Sequence, residues 1–225
     1  MITSGNTVLI TGGSTGIGFA LAQTLLDKGN EVIICGRREH RLQEAKTQLP
    51  SVHIRVCDVA RASDRIALFD WVRRAFPQVN VLINNAGIQR DVDFIADPLD
   101  WEATAEEIAI NLEAPIHLSS LFIPHLSTMA GAAIVNVSSG LAFTPRSRVP
   151  VYCATKAAVH SFSLTLRHQL KSTGVEVFEV IPPAVDSELN YASRVQRGFL
   201  NTGVTAEEFA SAVVRGLENG EHEIA

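Results

Sequence analysis

Short apolar runs recur along the chain, and between them apolar residues return every three or four positions. Thr7 to Thr11 (Thr-Val-Leu-Ile-Thr) is the first run, and Leu21, Leu25 and Leu26 mark a helix that continues to Gly29. The pattern then gives a strand over 31–36 and a helix over 42–49, a strand over 53–59 and a helix over 64–76, and a strand over 79–84. β-branched runs without polar alternation are strands buried on both faces, and helical spacing between them implies crossovers. Ser63 is placed to cap the third helix, with Ile66, Phe69, Trp71 and Val72 on its buried side. After an aperiodic stretch from Ile88 to Leu99, Thr104-x-x-Glu107 reads as a capping box for one long helix through Ile108, Leu112, Ile116 and Leu121. A strand over 132–137, a helix from Tyr152 through Val159, Phe162, Leu166 and Leu170, a strand over 175–181 and a helix from Thr205 to Gly220 complete the pattern. Six alternating βα segments predict a three-layer α/β/α domain over 1–225, a doubly wound parallel sheet with helices on both faces. Residues 188–204 are polar with few anchors, which suits a lid over a ligand site.

Composition narrows the partners. With 225 residues and 46% hydrophobic content the chain can bury one sizeable core. The net charge is -5 and no basic run occurs, which argues against a nucleic-acid surface. No apolar run approaches the roughly 20 residues a bilayer requires, and the first strand begins by Thr7 with no charged or apolar leader before it. Cys35, Cys57 and Cys153 are odd in number and lack CxxC spacing, so neither a disulfide framework nor a metal site is expected; a reducing cytoplasm suits them. The expected partner is a small molecule, with no nucleic acid and no membrane.

Three stretches carry chemistry. Gly12-Gly13-Ser14-Thr15-Gly16-Ile17-Gly18 joins the first strand to the first helix. Glycines there let the backbone approach a pyrophosphate, and the helix N-terminus offers N–H groups and a positive dipole end. A turn that needs glycine only for its φ angles is the bland alternative. Tyr152 and Lys156 stand one helical turn apart on one face, so an ammonium lies beside a phenol, expected to lower the phenol pKa and suit it to acid–base work. Ser139 adds a second hydroxyl from the end of the preceding strand, while no Gly-x-Ser-x-Gly elbow supports a nucleophilic serine. At the end of the second strand, where an NAD-preferring fold carries an acidic residue, the chain has Gly36 followed by Arg37 and Arg38. A guanidinium there can meet a 2'-phosphate, so NADPH is expected over NADH.

Thr-Gly-x-x-x-Gly-x-Gly at the first turn, Asn84-Asn85-Ala86-Gly87 after the fourth strand and Tyr152-x-x-x-Lys156 occur in that order. Over residues 7–190 the chain resembles the short-chain dehydrogenase/reductase family, whose fold is Rossmann-type. The resemblance implies a hydride transfer between nicotinamide and a carbonyl or alcohol, with Tyr152 as general acid/base, Ser139, thirteen residues before it, steadying the oxygen, and Lys156 binding the ribose. It implies that Asn111 distorts its helix and holds a water linking the lysine to solvent. Gly12, Ser14, Thr15, Gly16, Ile17 and Gly18 would cradle the cofactor, Asp58 and Val59 would meet the adenine, and Asn85, Ala86 and Gly87 would line the site. Pro182, Val185 and Ser187 would contact the nicotinamide, although Pro183 replaces the family's usual glycine. Family members commonly form homodimers or homotetramers and continue through a seventh strand and a tail, so with its last residue at Ala225 this chain either ends early or is given without its tail. A non-catalytic dinucleotide sensor with the same fold is the competing class. Epimerases of the extended branch share Tyr-x-x-x-Lys but carry a Gly-x-x-Gly-x-x-Gly loop and a longer substrate domain, both missing here.

Overall fold

The strands that the apolar runs predict lie side by side in one parallel sheet. A computed structural model of the chain describes residues 1–95, 98–186, 189, 195, 198 and 203–225. The strands are β1 (Thr7–Thr11), β2 (Glu31–Gly36), β3 (His53–Val56), β4 (Val79–Asn84), β5 (Ala133–Val137), β6 (Glu176–Val180) and β7 (Glu223–Ile224), in the order β3-β2-β1-β4-β5-β6-β7. Helices α1 (Gly16–Asp27), α2 (Glu39–Gln48), α3 (Ala62–Ala75), α4 (Trp101–Ile108), α5 (Ala114–Leu126), α6 (Pro150–Leu170) and α7 (Ala206–Asn219) connect and cover them.

Both faces of the sheet are buried, so each strand divides its apolar residues between two cores. Val8, Ile10, Val32, Ile34, Val81, Ile83, Val135 and Val180 face the layer of α1, α2 and α7. Leu9, Ile33, Leu82, Ile134 and Val177 face α3, α5 and α6. Successive side chains point to opposite sides of a strand, which is why unbroken apolar runs are needed at the centre. At the N-terminal edge, Asn80 accepts the Thr7 N–H at 3.1 Å and donates to Asn6 at 2.8 Å, while Asn30 accepts the Asn6 N–H at 3.0 Å. These side chains pair backbone groups that the strand starts would otherwise bury unsatisfied.

Several boundaries differ from the sequence pattern for identifiable reasons. β3 ends at Val56 because the Asp58 carboxylate accepts the Ala60 N–H at 3.1 Å and turns the chain. α3 starts at Ala62 with Arg61 at its N-cap, not Ser63, and its buried residues are Arg65, Leu68 and Val72. Ile66 is exposed, while Phe69 and Trp71 are half-buried. The Thr104 capping box is not formed: Asp100 caps α4, accepting the Ala103 N–H at 3.0 Å, and Thr104 and Glu107 are buried inside the helix. The single long helix is instead broken into α4, a π-helical turn over Ala109–Glu113, and α5. A seventh strand also exists: Glu223 and Ile224 pair parallel with Glu179 and Val180, and Ile224 packs against Gly216. Two residues are too few to show a period. The segment expected as a lid lies for the most part outside the described residues, and no described helix is long and apolar enough to cross a membrane.

Arg65 explains how α3 is tied to the rest. Its side chain is 1% exposed and donates to His117 Nδ1 at 2.9 Å, to the Val59 carbonyl at 2.8 Å and to Glu113. One guanidinium therefore joins the loop after β3 to the π-helical turn. Replacing it leaves the buried Val59 carbonyl without its donor while Glu113, 59% exposed, returns to water, so Arg65→Ala should destabilise the fold by about 2 kcal/mol, read as a lower urea midpoint at unchanged slope.

Candidate active site

The cleft lies outside the C-terminal ends of β1 and β4, where the chain's crossovers diverge. Its floor is built by contact between two loops. Thr11 Oγ1 accepts the N–H groups of Asn85 and Ala86, each at 3.0 Å, and Asn85 Nδ2 donates to the carbonyls of Thr11 at 3.0 Å and Gly12 at 3.1 Å. Gly12 has φ 65°, and a Cβ there would stand 2.8 Å from the Ala86 Cα. At Gly18 a Cβ would meet the Gly12 carbonyl oxygen and Asn85 Nδ2, both at 2.4 Å. Only glycine permits these approaches.

The expected residues converge on a cavity of about 400 Å³. Gly12, Ser14, Thr15, Gly16, Ile17 and Gly18 line it from the first loop. Arg37 and Arg38 line it after β2, with Asp58 and Val59 after β3. Asn85, Ala86 and Gly87 contribute from the end of β4, and Ser139, Tyr152, Lys156 and Pro182 close the far side. Val185 is placed differently: it is 8% exposed, packs in the core beneath α7 and bridges to Val204. Ser187 lies outside the described residues. Lining residues that the motifs did not single out include Ile88, Gln89 and Leu189; nothing in their spacing marks them.

Arg37 reaches across this cleft. Its side chain is 48% exposed and pairs with Glu106 of α4 at 2.6 Å, and Glu106 is also bound by Arg90. These two cations hold the Glu106 carboxyl below its usual value against the opposing effect of desolvation, which is the largest single influence on it.

Ser138 and Ser139, adjacent in sequence, have different environments. Ser138 is 1% exposed and its hydroxyl donates to Glu179, a fully buried carboxylate whose other oxygen pairs with His160 Nδ1 at 2.7 Å. Ser139 instead caps the short 3-10 turn over Gly140–Ala142, its Oγ accepting the Leu141 N–H at 3.1 Å, and the same hydroxyl acts on the Tyr152 phenol in favour of its charged form. One hydroxyl is thus committed to the interior, and the other lies at the N-terminus of the short turn beside the cleft.

Lys156 and Tyr152 are both buried, at 4% and 5% exposed, with the ammonium 5.6 Å from the phenol ring centroid. Lys156 Nζ donates to the Val137 carbonyl at 2.8 Å. Asn111 lies in the π-helical turn, where its Oδ1 accepts the Ile88 N–H at 2.9 Å and its Nδ2 donates to the Ile88 carbonyl at 2.8 Å and to Thr155 at 3.3 Å. A Cβ on Gly87 would stand 3.4 Å from Asn111 Oδ1 and 3.5 Å from Lys156 Nζ, so that glycine keeps the space between them open.

The electrostatics correct one expectation. Burial pushes the Tyr152 phenol up to about 12, the Ser139 hydrogen bond opposing it and the Cys153 and Glu107 charges adding to it. Burial also pulls Lys156 down to about 8, with Glu107 acting the other way. The lysine does not lower the phenol in this arrangement because desolvation penalises both charged forms at once.

The cleft suits a dinucleotide. No side chain caps the first turn of α1, which leaves its N–H groups for an anion, and the glycine approaches hold the loop against β4 without side-chain obstruction. Residues 6–198 match the family described as short chain dehydrogenase. Over 224 residues the chain is 55% identical to the uncharacterized oxidoreductase DltE of Bacillus subtilis (strain 168), a match covering 100% of this chain and 89% of that protein. It is 36% identical over 191 residues to sulfoacetaldehyde reductase 2 of Chromohalobacter salexigens, covering 80% of this chain and 73% of that protein. A short-chain dehydrogenase from Sphingobium yanoikuyae in complex with NADPH shares the structure at TM-score 0.88 and 28% identity, covering 97% of this chain and 86% of that one. A short chain dehydrogenase/reductase from Burkholderia phymatum in complex with NAD has the same fold at TM-score 0.90 and 24% identity, covering 100% of this chain and 90% of that one. The chain belongs to the short-chain dehydrogenase/reductase family and is an oxidoreductase that uses a nicotinamide cofactor.

Proposed function

We propose that the enzyme is an NADP(H)-dependent carbonyl reductase or alcohol dehydrogenase in which Tyr152 moves the proton. The observation that carries this reading is the convergence of Ser139, Tyr152 and Lys156, all buried, at one end of a cleft whose other end is the α1 N-terminus. A bound nicotinamide supplies or accepts the hydride. Gly12, Gly16 and Gly18 hold the pyrophosphate by backbone contact, and Asp58 and Val59 face the adenine end. Arg37 selects the 2'-phosphate. Its partner Glu106 pre-orients the guanidinium at the mouth, and no acidic side chain at the end of β2 repels the phosphate.

In the reducing direction Tyr152 gives its O–H proton to the carbonyl oxygen, and in the oxidising direction it takes the alcohol proton. Ser139 donates a hydrogen bond to the same oxygen and so opposes charge build-up there. The phenol lies well above neutral pH because it is desolvated, so it holds its proton and is poised as the acid for reduction. Lys156, buried beside the phenol ring, returns the proton after transfer. Asn111, its side chain fixed by both backbone groups of Ile88, keeps the π-helical turn in shape behind the lysine. Leu141, packed against Tyr152 and Val149, gives the substrate side an apolar wall.

Tyr152→Phe should abolish turnover with any carbonyl substrate while NADPH affinity, followed by nicotinamide fluorescence, stays within about twofold; joint loss of binding would make the tyrosine structural. Arg37→Ala should weaken NADPH binding by about tenfold or more and leave NADH binding nearly unchanged; equal loss for both would remove the 2'-phosphate role. Stability carries a third signature. The folded lysine titrates near 8 against 10.5 in the unfolded chain. Between those values the unfolded state binds more protons, so Lys156 makes stability rise with pH across that window, by roughly 3 kcal/mol in all. The stability difference between wild type and Lys156→Met, from urea unfolding at pH 7.5 to 10.5, should grow in favour of the wild type by about that amount; a flat difference would mean that the lysine is not desolvated.

A further inference from the structure

Glu107 is the acid that the motifs misplaced. It stands on α4, one helical turn before Asn111 and on the same face. Its side chain is 1% exposed, and among the described residues neither carboxylate oxygen has a hydrogen-bond partner of good geometry, the Arg90 backbone N–H acting on it only weakly. The contrast with its neighbour is sharp, since Glu106 is bound by both Arg37 and Arg90. Buried carboxylates without partners are costly, and such groups are retained where a charge is used. The ionisable groups facing Glu107 are Lys156 and Tyr152 from α6 and Arg90 from the segment between β4 and α4. Arg90 is already engaged by Glu106 and by the Ala103 carbonyl at 2.8 Å. Among the described residues Lys156 donates one hydrogen bond, to the uncharged Val137 carbonyl, and has no carboxylate within ion-pair distance.

We propose that Glu107 is the internal counter-charge of Lys156, a positioning residue that keeps the lysine cationic inside the buried site. The inference rests on the role given to Lys156 above and adds what sustains it. A buried ammonium loses its hydration, and only a carboxylate behind it restores part of that loss. Glu107 lies outside the residues that line the cleft, so it can provide the charge without competing for substrate or cofactor. Burial raises its own carboxyl to about 7, with Arg90 and Lys156 opposing the rise. Lys156 is therefore supported by an ionised partner from about pH 7 upward, which is where its own proton begins to be at risk near 8.

The test is made on the protein without cofactor or substrate. In 13C-lysine-labelled protein, with the Lys156 Cε signal assigned by its loss in Lys156→Met, Glu107→Gln should lower the Lys156 titration midpoint by about 1 pH unit. With an active substrate in hand, the alkaline limb of kcat/KM for reduction should move to lower pH by the same amount, because neutral lysine is then reached earlier. An unchanged Lys156 midpoint in a folded variant overturns the proposal, even if activity falls. Should Glu107→Gln fail to fold, 13C-glutamate-labelled wild type decides: one carboxyl titrating well above the rest, with an inflection of the Lys156 curve at the same pH, supports the pairing. Titration of every glutamate near 4.5 with no such inflection overturns it. Since the NMR readout needs no turnover, a protein that reduces no carbonyl yet shows the shift would refute the proposed reaction alone.

Discussion

The end of β1 must touch the end of β4 without a side chain between them, and most of the site depends on that contact. Thr11 Oγ1 receives two backbone N–H groups from the β4 loop, and Asn85 returns two hydrogen bonds to the β1 loop. Each neutral hydrogen bond contributes only about 1 kcal/mol on balance, but a buried donor left unpaired costs more than that. The loops are therefore held chiefly by the penalty for separating them. This fixes where the α1 N-terminus points, and it opens the gap at Gly87 that exposes Lys156 to the cleft.

A second constraint is desolvation. Tyr152, Lys156 and Glu107 are all at most 5% exposed, and burial is the largest cause of the shift in each. In water an ammonium one turn from a phenol would favour the phenolate; in the interior the same burial that strengthens the attraction also removes charge from both partners. The protein answers with geometry. The carbonyl of Val137 gives the lysine one fixed partner, the Ser139 hydroxyl favours the charged form of the phenol, and Glu107 supplies opposite charge behind the lysine.

The scaffold around the site is braced by polar groups that an apolar pattern does not reveal. Glu179 fastens Ser138 at the end of β5 to His160, one turn beyond Lys156 on α6. Asn84 donates to Asn136 at 2.9 Å, and Asn136 donates to Ser163 at 3.0 Å, so β4, β5 and α6 are joined through the interior. Arg65 does the same for α3 and the π-helical turn. These networks hold the helix carrying Tyr152 and the strand ending at Ser139 in one register, which a site relying on hydrogen-bond contacts requires.

Strand and helix order, the two-faced burial of the sheet and the family were all determined by the sequence itself. Runs such as Thr7–Thr11 and Ala133–Val137 cannot be stable unless covered on both sides, and Thr-Gly-x-x-x-Gly-x-Gly, Asn-Asn-Ala-Gly and Tyr-x-x-x-Lys are local spacings. The family resemblance singles out Ser139 over Ser138, and in the structure the Ser138 hydroxyl donates to buried Glu179 while that of Ser139 accepts the Leu141 N–H. Other properties were decided only by tertiary structure. Glu107 reads as a capping residue and Arg65 carries no signal in its helical pattern; the partners that surround them come from elements distant in the chain, α5 and α6. The helix distortion that the family resemblance implied at Asn111 takes its form, a π-helical turn, where Ile88 supplies both backbone partners, and the two residues of β7 become a strand only because the edge of β6 is there to pair. The direction of the Tyr152 shift belongs with these, since spacing reports a neighbour but desolvation is a property of everything that surrounds it.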